Sequence, residues 1–480
     1  MIRGLLSLYW WRYPEALVYM LQSNEYQVRP YLKWYWQTTD FSQVTYRRVL
    51  EYTKAARLIL WALRVGMTLQ LVAGFILLAL WQWKGLEGGW QFGLALILAY
   101  PLVWAHVVAI PLALGRLLVV NPRQGKAIKR SEEIFKKHPA VILAIVGSYG
   151  KTTMKELLLT VLSGGKKVVA TPANKNVAIS HAHFARTLEG TEEIVIIEYG
   201  EGAPGDVARF ARITHPTHAI ITGIAPAHLD HYKTIERAAE DILSIAQFVG
   251  KTNIYVNSES PQVARYATGK AYAPYDQHGA LGWKVSNVEI SLEGTNFAIS
   301  HGERRIELHS GLLGRHNIGP LALAVALAAG FGMNDQQIQE GVAKTAPFEH
   351  RMQPYNLGGA WIIDDTYNGN IEGIRAGTSL LKELAATRKI YVTPGLVDQG
   401  KEAEKVHKEM GRLIAGARPD IVVLMENSAT PAILDGLREA RYNKEIIIED
   451  DPLGFYVNLQ AFVAAGDLVL MQNDWTDNYN

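Results

Sequence analysis

The sequence predicts an α/β fold in three parts. They are an N-terminal two-helix transmembrane segment, a central parallel-sheet domain and a smaller C-terminal doubly wound domain. Three observations predict it. Two long uncharged apolar runs lie in the first quarter of the 480 residues. A β-branched run from Ala140 opens into a turn of glycines followed by lysine and two threonines. Beyond that turn, short apolar runs alternate with helix-like ones almost to the end of the chain.

The length asks for two or three domains. A net charge of +2 makes no case for nucleic acid, and no nucleic-acid partner is expected. There is no cysteine, which excludes disulfides, thiolate zinc sites and a cysteine nucleophile, and fits a reducing compartment.

Residues 1–137 read as a membrane-anchoring region. Val65–Trp83 and Trp90–Gly115 are uncharged on every face and about long enough to cross a hydrocarbon core of roughly 30 Å. Trp81, Trp83 and Trp90 gather at the turn between them, where indoles favour the lipid–water boundary. Arg47, Arg48, Lys54, Arg57 and Arg64 precede the first run, and Arg116, Arg123, Lys126, Lys129, Arg130, Lys136 and Lys137 follow the second. The expected location is therefore the cytoplasmic (inner) membrane, multi-pass, with the N-terminus and the domains that follow the hairpin in the cytoplasm. A cleavable signal is not expected. Residues 1–55 mix aromatics with arginine and lysine and read as helices lying on lipid headgroups. His106 reads as a neutral histidine packed between helices.

Residues 138–353 open with the strand-like "AVILAIVG", which runs into Gly147-Ser148-Tyr149-Gly150-Lys151-Thr152-Thr153 and then "MKELLLTVL". Strand, glycine turn and helix start are the context of a phosphate loop, so the central sheet is expected to be of the P-loop ATPase type. Gly147 and Gly150 let backbone N–H groups approach phosphate, Lys151 reaches for it, and the Thr152 hydroxyl is placed for Mg²⁺. Two residues separate these glycines where the usual loop has four. Glu198 ends the next long strand, and His228, Asp230 and His231 follow another. Strand C-termini are where open α/β sheets hold ligands, so Glu198 and His228 are metal-ligand candidates, with a salt-bridged strand end and a loop histidine as the plain alternatives. Residues 273–310 alternate as antiparallel hairpins do. Asn317 stands near the start of a small-residue helix and could simply cap it.

Residues 354–480 carry four more strand-like runs, "KIYVTPGL", "DIVVLMEN", "KEIIIED" and "DLVLMQND". Asp364-Asp365 close the strand at the boundary. They suggest contact with a ribose or a metal, or, for one of them, a cap on the helix that follows.

These segments together resemble the Mur ligases, the ATP-dependent amide-forming enzymes of peptidoglycan synthesis. The two-residue loop spacing is that family's own. The resemblance runs from Ala140 onward and is closest to the branch that adds D-alanyl-D-alanine. "TPANKNVAIS", "EYG", "APAHLD", "GRHN", "HRMQ", "IIDDTYNGN" and "VTPGLVDQG" follow in the family's order. The resemblance implies that Gly147, Ser148, Tyr149, Gly150, Lys151, Thr152 and Thr153 hold ATP, with Asn317 at adenine, Arg351 at phosphate and Asp365 at ribose. It implies Thr152, Glu198 and His228 around Mg²⁺, with Lys151, Glu198 and His228 as the catalytic set. Asn174 and Asn176 would meet the substrate. Partners would be a muropeptide precursor, soluble or lipid-linked, an amine such as D-alanyl-D-alanine, and membrane lipid.

The departures are specific. The "NNEIG" end of the substrate motif stands as "NVAIS", Pro320 replaces the second asparagine of the helix motif, and "MQND" takes the place of a late lysine-glycine-serine. His215 lies near the position of the carbamylated lysine of several relatives, so that modification is not expected. The family's uridine-gripping N-terminal domain gives way to the apolar hairpin. Two other readings stand beside the ligase: a related ligase acting on a different acid, as in folate polyglutamylation or cyanophycin synthesis, and a membrane-tethered nucleotide-binding scaffold.

Overall fold

The computed structural model describes residues 6–24, 26–43, 50–172, 175–225, 229–367, 369–397 and 399–473. By its contacts the chain divides into two units, Met1–Lys126 and Ala127–Asn480.

In the first unit, helices Tyr13–Ser23 and Val28–Gln37 precede the long helix Lys54–Lys84. Thr53 caps that helix by accepting the Ala56 N–H, and Gly85, at φ +63°, ends it. Helix Gly89–Val107 returns. The predicted second run is not one regular helix. It breaks at Val108 before Ala109–Gly115, because Pro111 has no N–H for the Val107 carbonyl. Both arms are long and apolar enough to cross a membrane. They meet through Gly74 and Gly93, where a Cβ on either would stand 2.8–2.9 Å from the other's carbonyl oxygen. Leu69, Phe75, Ile76, Phe92 and Leu98 point outward.

The described part of residues 1–55 also supplies a core of its own. Tyr13, Tyr31, Tyr35 and Phe41 are buried with Leu60, Leu63 and Ala105 as the core of this unit. The Tyr13 hydroxyl donates to the Pro101 carbonyl at 3.1 Å and that of Tyr31 to the Ala105 carbonyl at 2.9 Å. His106 Nδ1 bonds the Leu102 carbonyl at 2.8 Å, and its ring packs on Tyr35 and Trp36. The histidine is a packing element, as expected.

The second unit holds two sheets. In the first, β1 (Val141–Val146), β2 (Val168–Ala170), β3 (Ile194–Glu198), β4 (His218–Ile221), β5 (Ile254–Asn257) and β6 (Ala273–Asp276) are parallel. β7 (Gly279–Ala280), β8 (Trp283–Ser291), β9 (Gly294–His301) and β10 (Arg304–Ser310) continue it antiparallel. The order is β10-β9-β8-β7-β6-β5-β4-β1-β3-β2. The hairpins expected over residues 273–310 therefore extend the main sheet. Helices Lys151–Leu162 and Ile318–Gly330 cover one face, and helices Ala178–Ala185, Asp206–Thr214 and Ile235–Leu243 the other. That double cover explains why β1 and β3 read as unbroken apolar runs.

The second sheet has the order β11-β12-β16-β13-β14-β15. β11 (Gln353–Leu357) is antiparallel to β12 (Ala360–Asp365). β13 (Arg388–Thr393), β14 (Ile421–Met425), β15 (Glu445–Glu449) and β16 (Asp467–Gln472) are the four predicted runs, all parallel. Leu313, from the segment after the first sheet, is buried in this sheet's core.

Candidate functional site

β1 lies between β3 and β4, so its C-terminal end opens between those of two neighbours. The chain turns there through Gly147 at φ +147° and Gly150 at φ +76°, then enters helix Lys151–Leu162. A side chain at Gly147 would collide with the Thr222 hydroxyl, so this close approach needs glycine. Ser148 N–H donates to the Gly223 carbonyl at 2.7 Å, and the Thr222 hydroxyl to the Tyr149 carbonyl. The Tyr149 ring rests against Gly223 with no room for a Cβ between them. Burial raises the Tyr149 phenol above its ordinary pKa.

The helix start aims Lys151 back over the loop, where its ammonium donates to the Gly147 carbonyl and stands 3.8 Å from Glu201. One residue on, the Thr152 hydroxyl donates to Glu198 Oε1 at 3.1 Å. Asn176 reaches the same oxygen at 3.4 Å, and the Asn176 carbonyl accepts the Gly200 N–H at 2.7 Å. One helical turn beyond Lys151, the fully buried Lys155 places Nζ 3.3 Å from Glu198 Oε2 and 3.2 Å from Glu156. Glu198 is thus a salt-bridged strand end that also faces the loop. Lys155 was missed from the sequence, although its four-residue spacing from Lys151 puts both on one helix face.

His181 holds the strand end from behind. Its Nε2–H donates to the Glu198 carbonyl at 2.9 Å, and its ring packs on Tyr199 and Phe210. Burial lowers its pKa to about 4, so the imidazole is neutral.

Beside the loop residues Gly147, Ser148, Tyr149 and Gly150, the expected site residues Lys151, Thr152, Asn176 and Glu198 stand together. Thr153 lies on the same first turn. Asn174 and His228 fall outside the described residues. His215 ends helix Asp206–Thr214 at φ +47° and stands 3.8 Å from Glu132. Among the described residues no cluster of three histidines or carboxylates that could hold a metal is preformed.

Asn317 does not cap its helix. The turn Arg315–Asn317 already has helical backbone there, and the side-chain amide donates to the Leu313 carbonyl at 2.8 Å. The cap offered as an alternative for Asp364 or Asp365 belongs to neither, because Asn370 accepts from the Glu372 and Gly373 N–H groups. Asp365 instead accepts from Gln472 Nε2 at 2.7 Å and from Met352 N–H at 3.3 Å, and burial raises its pKa to about 6. Arg351 stacks on Tyr367, 4.7 Å from the ring centre. Among the described residues, no hydrogen bond or ion pair joins Asn317, Arg351 or Asp365 to the loop.

The donor set fits a polyphosphate with a hard cation. The loop offers glycine backbone that a ligand can approach closely, a helix N-terminus and an ammonium. Thr152 and Glu198 offer oxygen ligands of the kind Mg²⁺ takes; Glu198 Oε2 makes no hydrogen bond but is already faced by the Lys155 ammonium at 3.3 Å.

Residues 145–328 match the Mur ligase middle domain, and residues 350–472 the Mur ligase glutamate ligase domain. The UDP-N-acetylmuramoyl-tripeptide--D-alanyl-D-alanine ligase of Borreliella burgdorferi is 30% identical over 274 residues, 56% of this chain and 58% of that protein. Its Escherichia coli counterpart is 26% identical over 299 residues, 59% of this chain and 64% of that protein. The chain therefore spans less than two thirds of the length of either relative. The fold is similar to that of MurF from Acinetobacter baumannii, with a TM-score of 0.63 at 20% identity over 73% of this chain and 77% of that one. MurF ligase from Thermotoga maritima in complex with ADP gives 0.62 at 22% identity over 73% and 80%.

Proposed function

Because the chain belongs to the Mur ligases in its middle and C-terminal domains, we propose that it is an ATP-dependent ligase forming a carbon–nitrogen bond, and that it adds D-alanyl-D-alanine to a peptidoglycan precursor. One observation carries the reading: the glycine loop, Lys151, Thr152 and Glu198 converge at the end of β1. A carboxylate oxygen of the precursor attacks the terminal phosphorus of ATP, the bond to the bridging oxygen breaks and ADP leaves. The amine nitrogen then attacks the acyl carbon, loses a proton and expels phosphate. In this reading Lys151 and the loop N–H groups hold the phosphates, and Asn176, which reaches Glu198, orients the precursor. Thr152 and Glu198 would hold Mg²⁺, with His228 as a third candidate. When bound, this ion supplies screening of the phosphate charge.

The same reading places the chain at the cytoplasmic membrane, with both termini of the apolar hairpin inside and the acceptor delivered on a lipid carrier. The charge-free length of both arms, their outward apolar side chains and the basic flanks support it.

The test is phosphate release by detergent-purified full chain with ATP, Mg²⁺ and muropeptide acceptors, with and without D-alanyl-D-alanine. Release that requires acceptor and amine and disappears in Lys151→Ala is expected. ATP binding without turnover on any acceptor would replace the ligase with a nucleotide-binding scaffold. Equal turnover of soluble and lipid-linked acceptors would count against lipid delivery.

A further inference from the structure

Two ammonium groups belong to the loop's helix, and each already has a carboxylate. Lys155 is fully buried against Glu198 and Glu156. Lys151 faces Glu201 at 3.8 Å, and Glu201 also accepts the Ser148 hydroxyl at 3.3 Å. The Glu201 side chain is 4% exposed, so solvent screens its charge little. It sits three residues past Glu198, in the segment that leads to helix Asp206–Thr214. That segment is fastened from behind. Gly205 N–H donates to Asp241 at 2.7 Å, and the Tyr232 hydroxyl bonds both Asp241 at 2.8 Å and the Ala203 carbonyl at 3.2 Å. Glu201 is thus held on the loop by a braced turn.

A carboxylate is an odd neighbour for an anion site. The helix N-terminus contributes a partial charge of about +0.5 and Lys151 a full one, and Glu201 cancels the larger of the two. We propose that Glu201 is a specificity residue that reserves the loop for metal-loaded nucleotide. By neutralising Lys151 it denies free polyphosphate its main attraction, and a divalent cation arriving with the nucleotide restores it. The proposal rests on the nucleotide-binding reading above.

The test measures ATP binding to the full chain by calorimetry at fixed ionic strength, once with EDTA and once with Mg²⁺. Glu201→Gln keeps the shape and the Ser148 contact while removing the charge. It should tighten ATP binding in EDTA about tenfold and leave binding in Mg²⁺ within about threefold of wild type. In a Lys151→Ala background the gain in EDTA should shrink, because the charge that Glu201 masks is gone. Glu201→Ala predicts the same gain and serves if the glutamine variant unfolds. Unchanged affinity in EDTA overturns the proposal. So does a loss of affinity in Mg²⁺, which would make Glu201 a metal ligand. Wild-type chain that fails to bind ATP even with Mg²⁺ takes down the nucleotide reading itself. Wild-type binding in Mg²⁺ with no effect of Glu201→Gln takes down this proposal alone.

Discussion

Lys155 and Glu198 form a buried ion pair, Nζ to Oε2 3.3 Å, at the junction of the loop's helix and the end of β3. Neither side chain is open to water, and each is a close charge partner of the other, beside Glu156 for Lys155 and the Thr152 hydroxyl for Glu198. Removing one partner of such a pair costs about 3–5 kcal/mol, because a bare charge stays buried. Lys155→Met should therefore lower the denaturation midpoint strongly, and Glu198→Gln should do the same. The double variant should recover much of the loss. Additive losses in the double variant would show that the two groups do not compensate each other.

Gly223 and Tyr149 make a second, purely steric prediction. The tyrosine ring fills the space where a Cβ on Gly223 would go. Gly223→Ala must push the ring away and, with it, the loop carbonyl that Thr222 holds. Overpacking of this kind costs about 1–3 kcal/mol. Nucleotide affinity should fall with stability, and Tyr149→Ala in the same chain should restore part of both. No recovery would mean that the backbone at Gly223, not the ring, sets the limit.

In the first unit, Gly74 and Gly93 let the two long helices approach backbone to backbone. Small residues at such crossings permit the dispersion contacts that hold apolar helices together. Gly93→Leu would drive a side chain into Gly74 and Leu78 and should loosen the hairpin. Limited proteolysis in detergent should then cut between residues 54 and 107 faster than in wild type, and an unchanged pattern would discount the crossing.

Much of this was legible because it is local. The loop declares itself through its glycines, lysine and threonine between an apolar strand and a leucine-rich helix, all within about twenty residues. Glu198 could be found as the carboxylate closing a buried strand. Glu201 carried no such signal, since its approach to Lys151 depends on the turn braced by Asp241 and Tyr232. The cap offered as the plain alternative for Asn317 fails because the preceding turn is already helical and the amide turns back to Leu313. The core within the aromatic N-terminus stayed hidden for a different reason. A headgroup-lying helix and a small tyrosine-rich core have the same composition, and only the packing of Tyr13, Tyr31 and Tyr35 on Leu63 distinguishes them.

Two buried groups make opposite contributions to the pH dependence of stability. His181 has its pKa lowered to about 4 by burial, so between that value and the ordinary 6.5 the unfolded chain binds more protons and stability rises with pH. Asp365 has its pKa raised from 3.8 to about 6, chiefly by burial and against the pull of Gln472 and Met352. Across that window the folded chain binds more protons, so the contribution of Asp365 falls as pH rises. The two windows overlap, and wild-type stability should be flatter there than either group alone would make it. Asp365→Asn removes the falling term. Its gain over wild type should be near zero at pH 4 and grow to about 2 kcal/mol by pH 7, after discount for partial exposure. His181→Phe removes the rising term but leaves the Glu198 carbonyl without its donor, a loss of about 1–3 kcal/mol. Denaturant titrations at pH 4, 5, 6 and 7 separate the two. An Asp365→Asn gain that is constant with pH would show that the aspartate is ionised throughout, and that Gln472 and Met352 outweigh its burial.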